Sequence, residues 1–140
     1  MSSFLKDDAF WMKVALREAA RAGRAGEVPV GAVAVLNGKK IASAHNRPIA
    51  LNDPTAHAEI LVLRKSARRL KNYRLNGIIL YVTKEPCAMC QGALVGARVA
   101  RVVWGCSDLK PPNHHFKITR GVLKEESAKI LQSFFKKKRG

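Results

Sequence analysis

The chain has 140 residues, 47% of them hydrophobic and 26% charged. That length and balance fit one soluble globular domain with a core of its own and exclude wholesale disorder. Lysine and arginine outnumber aspartate and glutamate 26 to 10, a net charge of +16 that attracts polyanions and points to nucleic acid as a partner.

Lys6, Asp7 and Asp8 precede any apolar run, so the start does not read as a secretory signal. No uninterrupted apolar stretch approaches the roughly 20 residues of a membrane span, and no membrane association is expected. Three cysteines, two of them in one C-x-x-C, suit metal chemistry in a reducing, cytoplasmic setting better than a disulfide framework.

Residues 7–25 read as a helix, with Phe10, Val14, Ala15, Leu16 and Ala19 at three- and four-residue intervals and Gly26 closing the run. Residues 28–36 form an apolar, β-branched run ending in Asn37-Gly38, a strong hairpin signal, and 40–45 would return antiparallel to it. After Asn46-Arg47-Pro48 an irregular loop is expected. A second helix then starts at Pro54 or Thr55 and runs to about Leu70. Its core face would carry Ile60, Leu63, Ala67 and Leu70, with Arg64, Lys65, Arg68, Arg69 and Lys71 outward.

Residues 78–83 read as a buried strand, 86–98 as a third helix opened by Pro86, and 99–105 as another strand. A fifth strand is expected at 116–119. A last helix at 123–137 would turn Leu123, Ile130, Leu131, Phe134 and Phe135 toward the core. Strands alternating with helices after an opening hairpin predict a three-layer α/β/α domain around one mixed, about five-stranded sheet. No repeat, low-complexity segment or linker divides residues 1–140.

Two stretches carry the chemistry: Asp53-Pro54-Thr55-Ala56-His57-Ala58-Glu59 and Glu85-Pro86-Cys87-Ala88-Met89-Cys90. Together they offer one imidazole, two thiols and a carboxylate. Read as a zinc site, His57, Cys87 and Cys90 are three protein ligands, which leaves a fourth position for water, and Glu59 is an acid that does not ligate. His57 and Glu59, two apart, diverge inside a helix and can converge only on something beyond its end. Cys87 and Cys90, three apart, share a face. Two helix N-termini aimed at one ion satisfy both conditions, and their N–H groups favour thiolates. Charge suggests the rest: zinc lowers the pKa of water, and Glu59 beside it is placed to take the proton and pass it on.

Simpler readings exist for each part. Cys87 and Cys90 alone could be a redox pair, which leaves His57-x-Glu59 without a task. They could be half of a closed structural zinc site, for which His114 or His115 would be the missing ligand at an irregular spacing. Cys106 reads as a small buried residue.

The H-x-E and P-C-x-x-C pair is the signature of zinc nucleobase deaminases. The chain closely resembles the tRNA-specific adenosine deaminases of the cytidine deaminase superfamily. The resemblance runs through Glu27-Val28-Pro29-Val30-Gly31-Ala32, Asn46-Arg47-Pro48, 53–59, Asn72-Tyr73-Arg74-Leu75, Leu80-Tyr81-Val82-Thr83, 85–90, Arg101-Val102-Val103, and Phe134-Phe135 with a basic end. It implies a cytidine-deaminase-like fold, adenosine-to-inosine conversion at the wobble position of a tRNA anticodon, one zinc per subunit and a homodimer. Carried over by position, Asn46 bonds the flipped nucleoside. Val28 and Pro29 form part of the base pocket, with the Ala32 region behind. Asp108 and Lys110 lie near the target's sugar and phosphates. Phe134, Phe135 and Arg139 belong to a C-terminal helix laid against the anticodon loop. The alternative for Asn46 is a turn residue ahead of Pro48, and 136–139 could equally be a solvated helix end.

Two departures stand out. Family members carry a glycine-containing loop and a short helix where this chain runs from Lys110 through Pro111-Pro112 into Asn113-His114-His115. Because a parallel connection normally takes about a dozen residues or more, the last strand is expected either to return antiparallel or to stay outside the sheet. The shortening should also open the site's mouth, which makes single-stranded DNA an alternative substrate, whether for a natural compact enzyme or one engineered for base editing. Lys84 stands where the family usually has an apolar residue and adds positive charge near that mouth. A free base such as guanine has little use for a +16 surface. A catalytically silent RNA-binding subunit would be expected to lack Glu59.

Overall fold

A computed structural model describes residues 6–107 and 116–139 of the chain, with the side chain of Arg139 outside the description. The elements are α1 (Asp8–Arg24), β1 (Gly31–Leu36), β2 (Lys39–His45), α2 (Pro48–Leu51), α3 (Ala58–Leu70), β3 (Ile79–Lys84), α4 (Ala88–Ala97), β4 (Arg101–Cys106), β5 (Lys117–Arg120) and α5 (Lys124–Arg139). The five strands form one mixed sheet in the order β2-β1-β3-β4-β5. This is the expected three-layer arrangement.

Asp7 caps α1 through a side-chain bond from the Phe10 N–H at 2.8 Å, and Gly26 ends it in the left-handed region at φ +82°. The buried face of α1 is Trp11, Met12, Ala15, Ala19 and Ala22. Phe10 is exposed, with Val14 and Leu16 only partly covered, so the core stripe lies about one residue round from the expected one. A similar rotation sets α3, where Ala58, Val62, Leu63 and Ser66 are buried while Ile60, Ala67 and Leu70 are half-buried. The predicted outer cations of α3 are exposed.

Asn37 and Gly38 both take positive φ, as the tight β1–β2 turn requires. Strand residues alternate between two cores. Ala32, Ala34, Leu80, Val82, Val102 and Trp104 face α3 and α4, while Val33, Val35, Tyr81 and Val103 face α1. At Gly31 the helix α1 crosses so closely that a Cβ would stand 2.1 Å from the Ala15 carbonyl oxygen. Gly105 likewise admits Ser127 of α5, whose Oγ would lie 2.2 Å from an added Cβ.

β5 pairs parallel with β4, with Arg101 opposite Lys117 and Trp104 opposite Arg120. The expectation of an antiparallel or unpaired last strand was therefore wrong. The dozen-residue rule assumes a crossover helix. Here the chain has only to return along a short strand, a distance that ten residues span easily at about 3.3 Å each. A polar clasp also fixes the pairing: Arg101 Nε donates to Thr119 Oγ1 at 3.2 Å, and its guanidinium is paired with Asp8, which also accepts from the Tyr81 hydroxyl at 2.8 Å. Burial, then the bond to Asp8, pushes the Tyr81 hydroxyl pKa up. Among the described residues no helix is long and apolar enough to cross a membrane.

Gly31→Ala drives a methyl group into backbone atoms of α1 and should cost about 3 kcal/mol, read as a drop in the urea midpoint at constant m-value. An unchanged midpoint would show that α1 does not pack as described.

Candidate active site

The site forms where β3 ends, β1 begins, and the N-termini of α3 and α4 meet. Asp53 shapes the approach to α3: its Oδ1 accepts from the Thr55 N–H at 2.9 Å and from the Thr55 hydroxyl at 2.7 Å. This local turn uses up Pro54 and Thr55, so the helix begins at Ala58, not at Pro54 or Thr55 as expected. His57 becomes the extended N-cap residue. Cys87 has the same role on α4, which starts at Ala88, not at Pro86. Neither cap residue makes a side-chain capping bond.

His57 Nδ1 lies 3.6 Å from Cys87 Sγ and 3.5 Å from Cys90 Sγ. The three candidate ligand atoms lie within 4.8 Å of one another. Zinc bonds of about 2.3 Å to sulfur and about 2.0–2.1 Å to nitrogen, at the tetrahedral angle, place a nitrogen and a sulfur roughly 3.5 Å apart. The residues therefore fit zinc in distance as well as in type. Charge agrees: burial first, then the neighbouring Glu59 and Cys87, raise the pKa of the Cys90 thiol. A cation among these groups relieves what burial opposes. Cys106 is buried, with Sγ 3.6 Å from the Thr83 carbonyl oxygen, and takes no part in the cluster.

Glu59 is only 4% exposed, and burial pushes its pKa up to about 7 against the opposing bond from its own N–H and the charge of Lys84. A carboxyl poised near neutrality between bound and free proton is suited to shuttling one.

A cavity of about 740 Å³ opens onto these groups. His57, Glu59 and Cys87 lie on its wall with Asn46, Val28, Val30, Pro48 and Ile49, while Leu131, Phe134, Phe135 and Lys138 of α5 form another side. Of the expected substrate residues, Asn46, Val28 and Phe135 line the cavity and Pro29 does not, being buried beside it. Asn46 Oδ1 accepts from the Ala58 N–H at 2.8 Å, capping α3 from a distance. Leu131 packs against the core as expected and also lines the cavity, whereas Phe134 and Phe135 follow α5 onto the cavity wall, and Phe135 is exposed. Lys84 is also on the wall, as its place in the sequence suggested. Asp108, Lys110, His114 and His115 lie outside the described residues, as does the Arg139 side chain.

Sequence reasoning missed Glu27, Glu85, Pro48 and Ile49, all cavity residues. An irregular loop was expected after Pro48, yet Pro48 opens the short helix α2. Proline at a first helical position was the available signal. Glu27 had none, because the backbone groups it binds are 22 and 23 residues away.

Residues 5–106 match the family model of the cytidine and deoxycytidylate deaminase zinc-binding region. The chain belongs to this deaminase family. Within it, the chain is 45% identical to the tRNA-specific adenosine deaminase of Buchnera aphidicola from Schizaphis graminum, over 94% of this chain and 96% of that one. A solved structure from a study of A-to-I editing by tRNA:A34 deaminases superposes with a TM-score of 0.82 at 44% identity, covering 86% of this chain and 98% of that one. The guanine deaminase of Bacillus subtilis is more distant, with a TM-score of 0.71 and 33% identity over 94% of this chain and 76% of that one. The zinc of the family and the His57, Cys87 and Cys90 cluster agree with one ion per deaminase subunit.

The raised pKa of Glu59 has a consequence in metal-free protein. Its folded value lies above the usual 4.5, so native protein binds the proton more tightly than unfolded chain. That contribution is fully present below about pH 4.5 and is lost as pH rises toward about 7. Urea titrations of the metal-free protein across this window should show Glu59→Gln removing part of the decline in stability. Parallel curves for the two proteins would contradict the burial of Glu59.

Proposed function

We propose that this deaminase converts adenosine to inosine at the wobble position of a tRNA anticodon, with His57, Cys87 and Cys90 holding zinc and Glu59 moving protons. The observation that carries the reading is the three-ligand cluster with a buried acid beside it on the wall of a cavity large enough for a nucleotide. Bound there, zinc would supply a water molecule acidified toward neutrality.

Glu59 would take a proton from such a water and deliver it to the ring nitrogen beside the amine-bearing carbon, which becomes electrophilic and would receive the water oxygen. Glu59 then carries the remaining proton to the amine, the C–N bond breaks, and ammonia leaves. Adenosine and water become inosine and ammonia with no change of oxidation state. Asn46 offers amide donors to the nucleoside, and Val28, Ile49 and Phe135 offer apolar surface. The base must leave its stack to reach them. The +16 charge draws the RNA in and favours a polyanion over a free base.

The protein acts as a homodimer in this reading. Helix α4 buries Cys90 and Leu94, yet its outer side carries Ala88, Met89, Gly92, Val95 and Gly96, all exposed, and Ala88–Ala97 holds no charged residue. A helix apolar on both sides suits a place between two layers of protein. Cys87, Cys90 and Cys106 form no disulfide, which suits a reducing cytoplasm.

Glu59→Ala should abolish ammonia release from an anticodon stem-loop, a loss of at least about 10²–10⁴-fold, while zinc stays at one per chain by atomic absorption. Equal rates on an unstructured DNA strand would replace the RNA reading with a DNA one, and tight RNA binding without turnover would replace both. For the dimer, Val95→Lys should give a folded monomer by light scattering; a persisting dimer places the interface elsewhere.

A further inference from the structure

Glu27 is a buried carboxylate of the cavity that the proton transfers do not use. Glu27 is 2% exposed, and both its oxygens are engaged. Oε1 accepts from the Ile49 N–H at 3.1 Å and Oε2 from the Ala50 N–H at 2.8 Å. These donors belong to the first turn of α2, whose own N-cap residue, Arg47, makes no side-chain bond. A helix of four residues cannot hold itself, because its opening N–H groups have no partner within it. Its fastening comes from outside.

The position of α2 matters to the substrate. Pro48 and Ile49 are part of the cavity wall, and Ile49 is 67% exposed, so packing alone holds it weakly. Behind α2 lies a second cavity of about 340 Å³, bordered by Arg47 and Ala50 and again by Glu27. The short helix is thus a partition with space on both sides. Glu27 is itself well anchored: its N–H bonds the Ala22 carbonyl at 2.9 Å, directly after the left-handed Gly26.

We propose that Glu27 is a positioning residue for the deamination: its carboxylate fixes the partition Pro48–Leu51, and through it the wall on which the target nucleoside rests. The role in substrate binding depends on the deaminase reading, whereas the fastening of α2 does not. The two can therefore be tested apart.

Glu27→Gln keeps the volume and one acceptor but turns an NH₂ group toward one of the two amides. Amide hydrogen exchange should accelerate about tenfold or more at Ile49 and Ala50, with Ala58–Leu70 and Ile79–Lys84 unchanged, since one local bond is lost without global opening. On an anticodon stem-loop RNA with one adenosine in the loop, KM should rise about tenfold while kcat stays within about threefold, as expected when only binding geometry is loosened. Zinc content should not change. Glu27→Asp, which retains both acceptors on a shorter stem, should recover part of the KM. Unchanged exchange at Ile49 and Ala50 overturns the fastening. Acceleration spread across the sheet, or kcat and KM affected alike, reduces Glu27 to a general structural residue. If the wild type fails to convert the hairpin, the deaminase reading falls while amide exchange still decides whether Glu27 holds α2.

Discussion

Positive charge is scarce at the one place in this basic protein where it is most needed. Two thiols and a carboxylate converge at the tips of α3 and α4, and burial opposes ionisation of the innermost two, Cys90 and Glu59. Helix N-termini supply partial positive charge there, and Lys84 adds a whole charge at the rim. A divalent ion would complete the balance by letting the sulfurs ionise beside the buried carboxyl of Glu59. Metal affinity, thiolate character and the poise of the acid are one electrostatic problem in this site.

The surrounding architecture serves to hold those tips in register. Gly31 lets α1 lie directly on β1, and the Gly31 N–H bonds the Thr83 hydroxyl at 3.2 Å, joining the start of β1 to the end of β3 just before the cysteine turn. The Asn46 N–H donates to the Val30 carbonyl and its side-chain oxygen accepts from the Ala58 N–H, linking the β1 entry to the first residue of α3. Small residues, Ala32, Ala34 and Ala44, let α3 approach the sheet closely. Candidate ligands from sequence-distant helices are thus set by bonds between backbone and short side chains, which is how a site gains precision without long, flexible side chains.

Much of this was legible in the residues because its causes are local. The hairpin at Asn37-Gly38 needs positive φ at two adjacent positions, the strands alternate, and ligand spacing fixes which atoms can share an ion. What was not legible had distant causes. The rotation of α1 toward Trp11 and Met12 follows from what β1 and β3 present, and the helix's own periodicity accommodates either face. The parallel pairing of β5 depends on Arg101 reaching Thr119 and Asp8, residues scattered over most of the chain. The wall at α2 depends on Glu27, which pairs with no side chain that a motif could flag.

The basic surplus is likewise not all directed at nucleic acid. β2 is an edge strand, whose outward carbonyls invite pairing with another chain. Lys65 Nζ donates to the Ser43 carbonyl at 3.0 Å, and Arg69 donates to those of Lys40 and Ile41 at 3.1 and 2.6 Å, so two cations of α3 cover that edge. Arg101 is committed to Asp8, and Arg64 lies 3.8 Å from Asp53 beside the ligand turn. Lys84 and Lys138 also stand on the cavity wall, one on β3 and one on α5, among the apolar side chains of Val28, Ile49 and Phe135 and the polar ones of Asn46, His57 and Glu59, so charge and apolar surface share that wall.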